Sequence, residues 1–295
     1  MPERRITDVL KTGRILVSDG AWGTQLQVCG LQPGCCPEEW CISNFDDVSA
    51  IAKNYIDAGA DMVGTNSFGG SCYKLMYYGL ADKTAEINIA AAKASKAAAG
   101  DDCWVIASVG PTGKMLITEE VTETELYEAF KEQAMALEKG GADAICIETM
   151  SDIDEAVLAI RAAKESTALE VICTFTFEKS VRGDYRTMMG VSPTEAAIAS
   201  VDAGAEIIGT NCGNGTEHMV DIIMEIKAAV PDAFVLVHAN AGLPQVIGGK
   251  SVFPETPEDM ARLVPGLIEA GANIIGGCCG TTPEHIAAIK NVCKI

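Results

Sequence analysis

The sequence predicts a single (β/α)8 barrel, and three observations carry that expectation. Eight short apolar runs rich in Val and Ile alternate with longer stretches of helical periodicity, which is the pattern of a parallel sheet joined by crossover helices. A four-residue signature recurs before every second run. The length of 295 residues suits one barrel with modest loops, because barrels are a known exception to the usual domain size of about 150 residues.

The first run, residues 15–18, ends at Asp19-Gly20, the second, 62–64, at Thr65-Asn66-Ser67, and the third, 104–108, at Val109-Gly110. The fourth, 144–147, ends at Glu148-Thr149, the fifth, 171–174, at Phe175-Thr176-Phe177, and the sixth, 207–210, at Asn211-Cys212. The seventh, 234–238, leads to Asn240-Ala241-Gly242, and the eighth, 273–277, to Cys278-Cys279. Before the even-numbered runs stand Ala58-Gly59-Ala60-Asp61, Gly140-Gly141-Ala142-Asp143, Ala203-Gly204-Ala205-Glu206 and Ala270-Gly271-Ala272-Asn273. The glycine suits a left-handed helix cap, and the small residues let the helix end lie close to the next strand. Odd–even alternation is expected where alternate strands fill alternate layers of a barrel. A plainer reading, that this is a common helix-to-strand connection, still yields a β/α protein. Residues 31–37, 179–191 and 243–257 read as loop insertions after the first, fifth and seventh strands, on the C-terminal face where barrels place their active sites. No linker divides the chain, so residues 1–295 read as one domain.

Forty-one acidic side chains against 22 basic ones leave a net charge of −19. Such a surface repels phosphate backbones and anionic lipid, which excludes nucleic acid and membrane surfaces as partners. With 48% hydrophobic residues the chain supports a large core. No run approaches the roughly 18 apolar residues of a membrane helix, and the first residues lack the apolar stretch of a signal peptide. A cytoplasmic protein is expected, and an acidic barrel with apolar outer helices is compatible with a homodimer. Disulfides are disfavoured in that compartment, so the twelve cysteines call for another role.

Cys146 and Cys173 lie inside apolar strands and Cys103 and Cys293 beside or within helices, where thiols act as small hydrophobes. Cys29, Cys35, Cys36, Cys41 and Cys72 fall in loops or helix starts, and no Cys-x-x-Cys spacing supports a zinc ribbon or thioredoxin-like site. Cys212, Cys278 and Cys279 differ, because they stand at the ends of the sixth and eighth strands. Neighbouring side chains of a regular strand point to opposite faces, so Cys278 and Cys279 share a ligand only where the strand breaks. Gly276, Gly277 and Gly280 supply the break. Three thiolates without a fourth protein ligand describe an open zinc site. The alternative is three buried thiols in a Gly-rich turn of the phosphate-binding kind, although no Lys, Arg or Ser accompanies these glycines.

Zinc held by three thiolates is electron-rich and a poor generator of hydroxide. A substrate thiol entering the free position would lose its proton and remain nucleophilic, which suits alkyl transfer to sulfur. No general base is then required, in keeping with only three histidines, His218, His238 and His285. His238, ending the seventh strand, reads equally as a substrate contact or as a packed side chain. Asp19 and Glu148 are mouth carboxylates suited to an α-ammonium group through charge-assisted hydrogen bonds. Their plainer readings are a turn residue and a helix-cap neighbour. Backbone donors around Asn240-Ala241-Gly242 or at Gly110 suit the α-carboxylate.

These residues together resemble the homocysteine S-methyltransferase family, most closely the homocysteine-binding module of cobalamin-dependent methionine synthase. The likeness covers nearly the whole chain. It rests on the segments 19–24, 65–69, 109–113, 148–149, 211–212 and 240–244, and above all on Gly276-Gly277-Cys278-Cys279-Gly280-Thr281-Thr282-Pro283-Glu284-His285. The resemblance implies a (β/α)8 barrel, Zn2+ on Cys212, Cys278 and Cys279, and Asp19 and Glu148 on the homocysteine amino group. It also implies methyl transfer to the thiol, giving methionine. Three departures stand near the mouth: Trp22 in place of a smaller or more flexible residue, His238 where a proline is common, and Cys41 after Trp40 where Leu-Asn is frequent. The sequence contains no folate- or corrinoid-binding module, so the donor is open between methylcobalamin on a separate corrinoid protein and an S-methylmethionine- or betaine-like compound. Alternatives are methyl transfer between another small substrate and a corrinoid protein, a non-catalytic thiol or zinc module, and a redox protein using vicinal Cys278 and Cys279.

Overall fold

A computed structural model describes residues 5–247 and 250–293; residues 1–4, 294 and 295 of the predicted domain, and 248–249 of the third predicted loop, lie outside them. In chain order the strands are β1 (Leu16–Val17), β2 (Met62–Val63), β3 (Trp104–Val109), β4 (Ala144–Met150), β5 (Glu170–Phe175) and β6 (Glu178–Lys179). There follow β7 (Tyr185–Arg186), β8 (Ile207–Gly215), β9 (Phe234–Asn240), β10 (Gln245–Ile247), β11 (Lys250–Val252) and β12 (Ile274–Gly277). The eight predicted strands are β1, β2, β3, β4, β5, β8, β9 and β12, which pair in the order β1-β12-β9-β8-β5-β4-β3-β2, every pair parallel. The antiparallel pairs β6–β7 and β10–β11 are hairpins within the insertions after β5 and β9.

Strand alternation divides the core in two. Leu16, Met62, Trp104, Ile106, Ala144, Cys146, Ile172, Ile207, Leu236 and Ile274 form one cluster with Ile6, Val9 and Leu10 of a short N-terminal helix. These side chains fill the lower lumen, and the helix closes its N-terminal end. Glu170 anchors that helix by accepting from the N–H of Ile6 (2.6 Å) and of Thr7 (3.2 Å) and from the Thr7 hydroxyl (2.6 Å). The intervening residues, among them Val17, Val63, Val105, Ile145, Val171, Ile208, Val235 and Ile275, pack with the outer helices. The upper lumen stays open.

The recurring signature has a specific task. Its last residue donates its N–H to a strand carbonyl and accepts the N–H of the same strand residue on its side chain. Asp61 does so with Val17 (2.7 and 2.8 Å), Asp143 with Val105 (2.8 and 2.8 Å), Glu206 with Val171 (2.9 and 2.8 Å) and Asn273 with Val235 (2.8 and 2.8 Å). The Asp61 clamp joins β1 to the start of β2, the seam that no ladder bridges. The preceding glycines have φ of 101° to 111°, and Lys290, Lys96, Lys164 and Lys227 lay their stems over them, where a Cβ would crowd or touch. The first three lysines then reach Asp61, Asp143 and Glu206. Opposite the uncharged Asn273, Lys227 instead donates to the carbonyls of Pro231 and Ala233.

Asp143→Ala leaves the Val105 N–H without its side-chain acceptor and should lower stability by about 2 kcal/mol. Asp143→Asn, which keeps the clamp as Asn273 does, should cost less than about 1 kcal/mol. Urea midpoints at unchanged m-value measure both.

Candidate active site

A cavity of about 440 Å³ opens at the C-terminal ends of the strands, walled by side chains including Asp19, Trp22, Phe68, Ser108, Glu148 and all three candidate thiols. On β8, Ile207 lies in the lumen and Ile208 in the outer layer, so alternation brings Asn211 inward and would turn Cys212 away. Cys212 instead has φ +61° and lines the cavity beside Asn211. The same break occurs on β4. Glu148 faces inward as alternation requires, Thr149 has φ +63° and also lines the cavity, and Met150 returns to the outer layer. Both ladders shift register at these points.

The three half-buried thiols bring their sulfurs within 4.8 Å of one another, with Cys212 Sγ 3.8 Å from Cys279 Sγ. As the glycines suggest, β12 ends at Gly277 and the chain turns through Cys278 and Cys279. The Cys278 N–H donates to the Ala239 carbonyl (2.7 Å) and the Cys279 N–H to Asn240 Oδ1 (3.0 Å). Hydrogen bonds from Cys278 and Cys279 draw the Cys212 thiol down to about 3. The contacts with Cys212 in turn push Cys278 and Cys279 above the ordinary thiol value. The trio thus carries one negative charge readily and resists more, a resistance that a cation at its centre removes.

Asp19 Oδ2 accepts the Gly64 N–H (2.7 Å) and the Trp22 indole N–H (2.8 Å). Burial nevertheless raises its carboxyl to about 6. Glu148 accepts from the Ser108 hydroxyl, and Ser108 is held in turn by Thr65 Oγ1 (3.0 Å) and by Ser67 Oγ (2.7 Å). Burial raises Glu148 to about 7, with the charges of Asp19 and Cys212 adding to the effect. Two carboxylates short of positive charge therefore face the cavity that the thiols close.

Gly110 and Asn240 are not brought to this wall. The Gly110 N–H donates to the Phe68 carbonyl (3.0 Å), that of Ala241 to the Cys279 carbonyl (3.0 Å) and that of Gly242 to the Asn240 carbonyl (2.8 Å). These three N–H groups, among the donors expected to take a substrate carboxylate, are bonded inside the protein, and the Asn240 side chain buttresses Cys279 and hydrogen-bonds the Cys212 thiol. Of the three departures, Trp22 and His238 line the cavity, whereas Cys41 is buried with its thiol on the Asn66 carbonyl (3.2 Å). Burial lowers His238 to about 4, so its ring is neutral. His285 is structural, with Nε2 3.0 Å from the Glu255 carbonyl. Sequence reasoning missed Glu38, a buried carboxylate on the cavity wall that accepts the Gly69 N–H (2.8 Å). Its loop has no periodicity to mark it. No helix among the described residues is long and apolar enough to cross a membrane.

The sequence model of the family described as "Homocysteine S-methyltransferase" matches residues 16–293. The chain belongs to the homocysteine S-methyltransferase family. It is 34% identical over 307 residues to a methionine synthase of Mycobacterium leprae and 34% identical over 315 residues to one of Mycobacterium tuberculosis. The matches cover 96% and 97% of this chain but 25% of each relative, so the chain spans about a quarter of their length. Among solved structures, the oxidized form of the homocysteine methyltransferase MmuM from Escherichia coli superposes with a TM-score of 0.78 at 21% identity, covering 99% of both chains. Its metallated form gives 0.77 at 21% identity, covering 96% of this chain and 98% of that one. These two likenesses concern the fold.

The folded chain binds a proton on Glu148 more tightly than the unfolded chain does, so this group makes stability fall as pH rises from about 4.5 to about 7. Glu148→Gln should flatten that slope and raise the thermal midpoint at pH 8 relative to wild type. Thermal melts at pH 5 and pH 8 test this, and an unchanged slope would contradict the assigned burial effect.

Proposed function

We propose that the chain binds homocysteine, activates its thiol and transfers a methyl group onto it, giving methionine. The observation that carries this reading is the convergence of Cys212, Cys278 and Cys279 beside Asp19 and Glu148 in one open cavity. The three thiols suit Zn2+, because three sulfurs leave a tetrahedral position free and their mutual opposition to ionising calls for a cation. When bound there, zinc supplies the positive charge that lets an incoming thiol ionise while staying nucleophilic.

The protein's own residues do the rest. Asp19 Oδ2 is occupied by two N–H donors, whereas Oδ1 meets the Ser18 hydroxyl at 3.2 Å and is the oxygen we assign to the substrate ammonium. Glu148 takes the opposite side. An ammonium between them relieves the burial that raises both carboxyls, so substrate binding and carboxylate ionisation support each other. Holding the amino acid by its ammonium fixes the sulfur toward the thiols and leaves the open mouth for the donor.

The donor in this reading is methylcobalamin on a separate corrinoid protein, in line with the methionine synthase relatives, or an S-methylmethionine- or betaine-like compound. The setting is cytoplasmic, which accords with twelve free cysteines. A homodimer through the outer helices is part of the reading, supported by exposed Ile198, Val201 and Met224.

Zinc analysis followed by donor screening on the same sample tests the proposal. One zinc per chain is expected, with methionine formed from homocysteine and methylcobalamin or S-methylmethionine, and Cys212→Ala should lose both zinc and turnover. Full zinc without methionine from any donor would instead indicate a binding module. A reversible disulfide with no zinc would indicate the redox reading.

A further inference from the structure

Two non-glycine residues in the left-handed region stand on strands that flank β5, Thr149 on β4 and Cys212 on β8. Left-handed backbone costs a non-glycine residue about 1–2 kcal/mol, and a β-branched threonine is among the least suited to it. One side chain, that of Asn211, bridges the two strands. Asn211 Oδ1 accepts the Thr149 N–H (2.8 Å) and the Thr174 hydroxyl (2.7 Å), and Asn211 Nδ2 donates to Thr149 Oγ1 (2.8 Å). The Asn211 carbonyl accepts from Thr176 Oγ1 (2.8 Å). Because a backbone N–H can only donate, the orientation of the carboxamide is settled by Thr149 itself. Asn211 is 1% exposed, so no solvent replaces these bonds if they are lost.

Resting on the function proposed above, we infer that Asn211 is a positioning residue that couples the zinc-binding thiol of Cys212 to the ammonium-binding carboxylate of Glu148. Cys212 follows Asn211 and Glu148 precedes Thr149, so the carboxamide ties the two functional groups together through their own main chains. If the β8 kink relaxes to regular strand, alternation turns Cys212 away from the lumen, and if the β4 kink relaxes, it turns Thr149 away from Asn211 and loosens the chain directly after Glu148. Thr149 also gains a reason to be threonine, since glycine would fit its backbone but offer Asn211 no hydroxyl.

The test uses Thr149→Val, which keeps the shape and deletes only the hydroxyl, together with Asn211→Ala and Thr149→Ser. Among the described residues the hydrogen bonds of Thr149 run to Asn211 and none joins it to a thiol of the trio, so a merely local role would leave metal binding untouched. Zinc affinity by chelator competition should fall about 10- to 100-fold in Thr149→Val and Asn211→Ala, and the thiolate-to-metal absorption of the cobalt-substituted protein should weaken. The homocysteine KM should rise more than kcat falls, and Thr149→Ser should behave as wild type. Should Asn211→Ala fail to fold, Thr149→Val decides the matter. Wild-type zinc affinity and cobalt spectrum in Thr149→Val would overturn this inference alone, whereas wild-type protein that bound no zinc would overturn the proposed function and the inference together.

Discussion

A parallel strand turns successive side chains to opposite faces, and the mouth of this barrel exists because two strands break that rule. At Thr149 and Cys212 the backbone enters the left-handed region, and consecutive residues then face the lumen: Glu148 with Thr149, Asn211 with Cys212. A regular β8 would send the Cys212 thiol into the apolar layer beneath the helices, and no trio of sulfurs would form. The lower lumen, filled and closed by the N-terminal helix, supplies the rigid base on which such kinks persist. Packing below thus secures irregularity above.

The electrostatics of the mouth follow one logic. Asp19 and Glu148 are held where burial opposes their ionisation, and the thiols where one negative charge opposes the next. Each group resists ionising alone, and in the proposed reading each is relieved by a cation, a metal for the sulfurs and an ammonium for the carboxylates. A site of this kind trades the stability of the empty protein for affinity.

Much of this was legible in the sequence because it is local. Apolar runs marked all eight barrel strands, and residues at their ends lie at the mouth by topology alone, which is how Asp19, Glu148 and the three cysteines came together. The Ala-Gly-Ala-Asp signature announces its glycine cap, yet its last residue also clamps the preceding odd strand, a contact 35 to 44 residues away. Asn211 and Thr149 are 62 residues apart, and no spacing announces such a pair. The N–H groups of Gly110, Ala241 and Gly242 show the same limit, because whether a backbone donor is free depends on what folds against it. Glu38 stayed hidden because its loop carries no pattern.

The central claim is that three protein thiols hold zinc and leave one position to the substrate thiol. Zinc K-edge X-ray absorption on the purified protein, before and after homocysteine, tests it most directly. The account predicts three sulfur neighbours and one lighter ligand at first, changing to four sulfurs at about 2.3 Å with homocysteine. Four sulfurs in the absence of substrate, or no change on adding it, would contradict the account.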